Sequence, residues 1–275
     1  MRRVLVPIDF SSDSINAFEH ALIYAKYADA DIRLIHVSKN NNFDEPFNFK
    51  EYRDLGGKTI EDFFEIIINK YKNKISNKID YKMRTGKVYL EVCNQAKYDD
   101  SNLIIAGTHG VSGFEEYWMG SNAFKIVTNA PCPVITIRNG YIRRELKTIV
   151  MPIDVSKDTR RKVNYTIDIA KTFDSEIHII GVRETNKPRI NKKVQNYVDQ
   201  VSRVVEKSGV KYRTEILLAK NITDTIINYA KEHRAELISA MTEQSESALN
   251  IFLGKYAQQL VNHSPIPILS IRPNY

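Results

Sequence analysis

Along the chain, hydrophobic positions switch repeatedly between two patterns. Short apolar runs such as Val4-Leu5-Val6 and Leu103-Ile104-Ile105-Ala106 alternate with longer stretches in which apolar residues recur every three or four positions. The runs have the length of buried strands, and the stretches have the spacing of amphipathic helices. Strands are predicted over 3–8, 31–37, 79–84, 102–106 and 133–138, then over 147–153, 175–182, 210–217, 235–240 and 266–271, with helices in the gaps. The helix after the first strand is well signalled, with Ser11 or Ser12 as its cap and Ile15, Phe18, Leu22 and Ala25 on one face. Alternating strands and helices, with the strands mostly buried, predict an open α/β fold: a parallel sheet with helices on both faces. Ligands of such sheets sit outside the carboxyl ends of the strands, where the winding order reverses.

The second set of elements repeats the first. Val4-Leu5-Val6-Pro7-Ile8-Asp9-Phe10-Ser11 returns as Ile149-Val150-Met151-Pro152-Ile153-Asp154-Val155-Ser156, an offset of 145 that also pairs Asp13 with Asp158 and Ala25-Lys26 with Ala170-Lys171. Further on the offset is 134: Leu103 to Ala106 matches Leu237 to Ala240, and Pro131-Cys132-Pro133 matches Pro265-Ile266-Pro267. The second copy is therefore eleven residues shorter, most simply through loss of the polar and aromatic stretch Asn40 to Gly57, which reads as a long lid-like loop. Asn139 to Arg144 reads as the linker, giving domains over 1–141 and 144–275.

Length and composition agree with two soluble domains: 275 residues, 43% hydrophobic and 27% charged. The run Val4-Leu5-Val6 follows Met1 too closely for a secretory signal, and no segment approaches the roughly 20 apolar residues that span a bilayer. A cytoplasmic protein with no membrane partner is expected. Cys93 and Cys132 lack metal or redox spacing and read as packing residues. The formal charge of +7 favours anionic ligands. Its basic clusters, Arg2-Arg3, Arg143-Arg144 and Arg160-Arg161-Lys162, are dispersed and not interleaved with aromatics, so they read as solvated surface charge and no nucleic-acid partner is expected.

The sharpest local signal begins where the strand ending at Ala106 runs out. Gly107-Thr108-His109-Gly110 is followed after nine residues by Gly120-Ser121-Asn122-Ala123, which opens a helical stretch through Val127. Glycines let a backbone approach a ligand closely, and a helix start presents free N–H groups and a positive dipole end to phosphate oxygens. The hydroxyls of Thr108 and Ser121 can add donors. His109 has no partner in triad or metal spacing and reads as loop packing or a phosphate hydrogen bond; Glu115 and Glu116 read as surface charge. In the second copy Met241 replaces Gly107, Gln244 replaces Gly110 and Lys255 replaces Ser121, leaving only Gly254, while Asp154 persists. Side chains there would fill the space that phosphates need.

This pattern, with the opening strand Val4 to Asp9 and the closing Pro131-Cys132-Pro133, resembles the universal stress protein family, in register over nearly the whole chain and twice. The resemblance implies two tandem five-stranded, Rossmann-like domains of the adenine nucleotide alpha-hydrolase-like type. It implies ATP as ligand of the first domain, with any magnesium held through the phosphates. It places the adenosine end at Pro7, Ile8, Asp9 and Val37, and the phosphates at Ala106, Gly107, Thr108, His109, Gly110, Gly120, Ser121, Asn122 and Ala123. It further implies pairing of the halves as an intramolecular pseudo-dimer through strands 134–138 and 268–271, with a homodimer also open.

A Walker loop is absent and no lysine is placed for the terminal phosphates, so a stress-response regulator that uses nucleotide as a signal is expected. Two alternatives stay open: a slow ATP hydrolase and a non-nucleotide scaffold or small-ligand carrier. The place of the serine- and glycine-rich loop of adenylating relatives is held by Phe10-Ser11-Ser12-Asp13, without glycine, which argues against AMP transfer.

Overall fold

The computed structural model describes residues 2–38, 59–108, 120–138, 140–141, 145–156, 158–242 and 255–272. The predicted loop at 40–57, His109, Gly110, Glu115, Glu116, Gln244, Gly254 and most of the predicted linker lie outside them. The chain divides into two compact units, Met1–Gly140 and Tyr141–Tyr275.

The first unit runs β1 (Arg2–Pro7), α1 (Ser12–Ala28), β2 (Ala30–Ser38), α2 (Ile60–Tyr71), β3 (Ile79–Thr85), α3 (Val88–Tyr98), β4 (Leu103–Gly107), α4 (Ser121–Asn129) and β5 (Val134–Ile137). Its strands are parallel in the order β3-β2-β1-β4-β5. The winding reverses between β1 and β4, so a crevice opens where both strands end, at Pro7 and Gly107.

Capping fixes where α1 begins. The Ser11 hydroxyl accepts from the Ser14 amide at 3.2 Å, satisfying one of the donors a helix start leaves open. Ala17, Phe18, Ala21, Leu22 and Ala25 then bury one face.

At the opposite, polar end of the sheet, Arg33 on β2 holds two carboxylates. It makes a bidentate pair with Asp80, both contacts 2.7 Å, and reaches Asp99 at the end of α3 at 2.5 Å. Arg3 adds contacts to Asp99 at 3.4 Å and Asp31 at 3.8 Å. Burial alone would raise the Asp80 carboxyl, but the hydrogen bonds and charge of Arg33 outweigh it and hold the group below its ordinary range.

The second unit repeats the plan: β6 (Thr148–Ile153), α5 (Val163–Phe173), β7 (Glu176–Arg183), α6 (Pro188–Lys207), β8 (Tyr212–Leu218), α7 (Ile222–Glu232), β9 (Leu237–Met241), α8 (Lys255–His263) and β10 (Ile268–Ile271). Its parallel strands lie in the order β8-β7-β6-β9-β10. The two units differ at the second strand. Where β2 carries His36, β7 carries Gly181, and a Cβ there would meet Val194 and Val198 of α6 at 2.8 and 3.0 Å. The missing side chain lets the long α6 lie directly on the sheet.

A buried histidine makes this unit sensitive to acid. His178 on β7 lies between the Tyr229 hydroxyl at 3.3 Å and Glu176 at 3.4 Å, with the His233 ring 5.3 Å away. Burial lowers its pKa below the ordinary 6.5, helped by the charge of Arg213 and opposed by Glu176. The folded unit thus binds the proton less tightly than the unfolded chain. The contribution is complete above the unfolded pKa and is lost as pH falls below it toward the folded value. Urea unfolding at about pH 7.5 and about pH 5.5 should show the second unit weakening in acid, and His178→Gln should flatten that dependence. An equal pH dependence in both proteins would assign the effect to another group.

Cys93 and Cys132 are buried thiols outside any disulfide, as packing residues would be. Burial pushes the Cys132 thiol up to about 12, which keeps it an inert thiol at neutral pH.

Candidate functional site

The crevice at the end of β1 and β4 is a cleft of about 310 Å³. That volume is at the lower end of what small-molecule sites offer. Of the residues singled out from the sequence, Pro7, Ile8, Asp9, Val37, Ala106, Gly107, Thr108, Gly120, Ser121, Asn122 and Ala123 all line it. His109 and Gly110 lie outside the described residues.

One wall is the end of β1. Ile8 donates its amide to the Ile35 carbonyl at 2.8 Å, and its own carbonyl is 2.8 Å from His36 Nδ1. Burial lowers the His36 pKa, so the ring is neutral at pH 7 and Nδ1–H is the donor. Asp9 Oδ1 accepts from the Ser11 hydroxyl at 2.6 Å and the Ser11 amide at 3.1 Å. These bonds make a turn that holds Ser11, the cap of α1, and Asp9 also lines the cleft. Phe10 follows with φ of 66°, a backbone conformation costly for a bulky residue. Its ring is buried against His36, Phe63 and Phe64, at centroid distances of 4.8, 4.6 and 5.5 Å. This aromatic cluster fixes the turn.

The floor is Gly107. A Cβ on this residue would come within 2.9 Å of the Asp13 backbone in the first turn of α1. Only bare main chain fits beneath that helix. Beyond it, Thr108 donates its amide N–H to the Ile137 carbonyl at 3.0 Å, and Gly120 donates its own N–H to the Thr108 carbonyl at 2.8 Å. Gly120 is the N-cap of α4 and supplies no side chain to cap it. The amides of Ser121, Asn122 and Ala123 stand beyond the helix's own carbonyls and have no acceptor among the described residues. Among the described residues the cleft therefore ends in three open N–H donors at the positive end of a helix dipole.

Sequence reasoning missed Ser14, Ile35, Val88, Val92 and Ile126, which complete the lining. Ile126 was within reach, one helical turn beyond Ala123 on the same face. Val88 and Val92 sit on α3 and reach the cleft only through the tertiary path of that helix.

The equivalent cleft of the second unit offers about 50 Å³. Met241 lines it where Gly107 lies in the first, and Lys162 enters it. The reading of Lys162 as solvated charge is corrected here. The residue is 3% exposed, whereas its neighbour Arg161 lies at the surface. Its counterpart at the 145-residue offset is Ala17, a fully buried helix residue, and that correspondence carried the signal.

Two five-stranded parallel sheets, each with a cleft at its reversal point, define a tandem of doubly wound α/β domains. The model of the universal stress protein family matches residues 1–138 and again 145–272, and the chain belongs to that family. A universal stress protein of Methanocaldococcus jannaschii is 27% identical over 140 residues, 50% of this chain and 82% of the relative. A Staphylococcus aureus relative, described as a putative universal stress protein, is 24% identical over 142 residues, 50% of this chain and 84% of its own. Among solved structures, a universal stress protein from Archaeoglobus fulgidus superposes with a TM-score of 0.74 at 18% identity, covering 99% of this chain and 98% of that one. A functionally unknown protein from Pseudomonas aeruginosa reaches 0.71 at 14% identity, covering 100% of this chain and 93% of its own. These structures share the fold. No helix among the described residues is long and apolar enough to cross a membrane.

Proposed function

We propose that the first domain binds ATP and that the bound nucleotide serves as a signal in a cytoplasmic stress response. The observation that carries this reading is the phosphate-ready end of the cleft: bare backbone at Gly107 and three open amides at the start of α4. The apolar side chains of Ile8, Ile35, Val37, Val88 and Val92 suit a flat base, and Asp9 offers acceptors to ribose hydroxyls. Magnesium, where it accompanies the nucleotide, would be carried on the phosphates. Asp9 is the one carboxylate lining the cleft among the described residues, and it is already engaged by Ser11, which favours a bound signal over rapid turnover.

Mass spectrometry of small molecules released from the purified, denatured protein should find adenine nucleotide, and calorimetry should show saturable ATP binding. Ser121→Asp tests the phosphate end. A carboxylate in the first turn of α4 suits the helix dipole and leaves the fold intact, but it occupies the anion position with a like charge. ATP affinity should fall by about tenfold or more, the effect of roughly 1.4 kcal/mol. Unchanged affinity would place the phosphates elsewhere.

A further inference from the structure

The second cleft is smaller than the first and is built differently. Met241 has a Cβ where Gly107 has none, and on β4 such an atom would strike the first turn of α1, the helix whose counterpart in the second unit is α5. In the second unit that turn is rebuilt. Residues Asp158–Arg160 form a 3-10 turn, and α5 begins only at Val163. Lys162, whose counterpart Ala17 lies inside a regular helix, thereby becomes the N-cap of α5 and lines the cleft.

Lys162 is 3% exposed, yet among the described residues its ammonium has one hydrogen bond, to Thr159 Oγ1 at 3.2 Å. An ammonium has three donors, and burying unsatisfied ones is costly. Asp154 acts on it through charge alone, without a hydrogen bond or ion pair among the described residues. Burial brings the lysine down to about 8, so it is still mostly cationic at pH 7. The remaining lining is largely apolar, including Ile222, Ile226, Leu260 and Met241.

We propose that the second cleft binds a small monocarboxylate, with the carboxylate on Lys162 and Thr159 and a short hydrocarbon tail against Ile222, Ile226 and Leu260. Volume excludes a nucleotide. The apolar walls favour a ligand with a hydrocarbon body, and the nearby charge of Asp154 disfavours a dianion such as phosphate. The ligand supplies the acceptors that the described residues do not offer the ammonium.

Met241 makes the test direct, because it lines the cleft and is one of five methionines. Full-length protein with carbon-13 methionine methyl groups is titrated with propionate, inorganic phosphate and chloride at constant ionic strength. The Met241 resonance should move saturably with propionate, with a Kd of about 1 mM, and not with the other two. Lys162→Met keeps the volume and removes the charge; it should weaken the response at least about tenfold while ATP calorimetry on the first domain is unchanged. Ile226→Phe, which fills the tail space with the lysine in place, gives a second check should the lysine variant not fold. A stationary Met241 resonance, an undiminished response in either folded variant, or an equal response to phosphate overturns the proposal.

Discussion

Exchanging Gly107 for methionine, the residue its repeat carries, is expected to abolish ATP binding by the first domain and to cost about 1–3 kcal/mol of stability. The new Cβ would lie within 2.9 Å of the Asp13 carbonyl carbon, a contact with backbone that no rotamer change relieves. Strand β4 is anchored to β5 through Gly107 and Ile137, so the first turn of α1 is the part that yields. The second unit shows the result of that yielding in a 3-10 turn and a helix that starts late. Calorimetry should record no ATP binding, and urea unfolding should give the stability loss. Wild-type affinity in a folded Gly107→Met protein would mean that this floor does not support the nucleotide.

Arg33→Met should be the most damaging substitution at the opposite end of the first sheet. The Arg33 side chain is 11% exposed and its guanidinium neutralises Asp80 and Asp99, the latter's side chain 2% exposed. Methionine would leave those carboxylates with Arg3 and the exposed Lys78 as their cationic partners among the described residues. Removing one member of such a group costs about 3–5 kcal/mol, because the remaining charges stay buried without full compensation. The pH dependence separates this cause from lost packing. The depressed Asp80 pKa contributes stability above its unfolded value of 3.8, and the contribution disappears as pH falls through the folded value. The gap between wild type and variant should therefore narrow in acid when unfolding is followed by urea titration. A gap that stays constant would point to packing by the side-chain stem instead.

The repeat made most of the fold readable before any coordinates. Two offsets aligned ten strands, and parallel winding followed from strand length and alternation with helices. The cleft was legible where chemistry is local: Gly107 and Gly120 mark close approach and a helix start, and Ser11 marks the cap of α1. Other features depended on distant segments. Arg33 reads as one polar residue in an apolar strand until β3 and the end of α3 bring Asp80 and Asp99 beside it. Lys162 is disguised by two adjacent arginines, and it lies buried after a 3-10 turn where the first unit has regular helix, a difference that no local pattern announces. Val88 and Val92 lie on a helix whose start has no side-chain cap bond, and only its packing brings them to the cleft.

The aromatic turn after β1 carries a thermal consequence. Ile8 and Asp9 owe their positions to Phe10, which is locked among His36, Phe63 and Phe64 in the interior of the domain. Heat cannot loosen this side of the cleft without also dislodging α2 from the core. Ligand release on warming and cooperative melting of the first domain should thus be a single event, and occupancy would register damage to the domain as a whole.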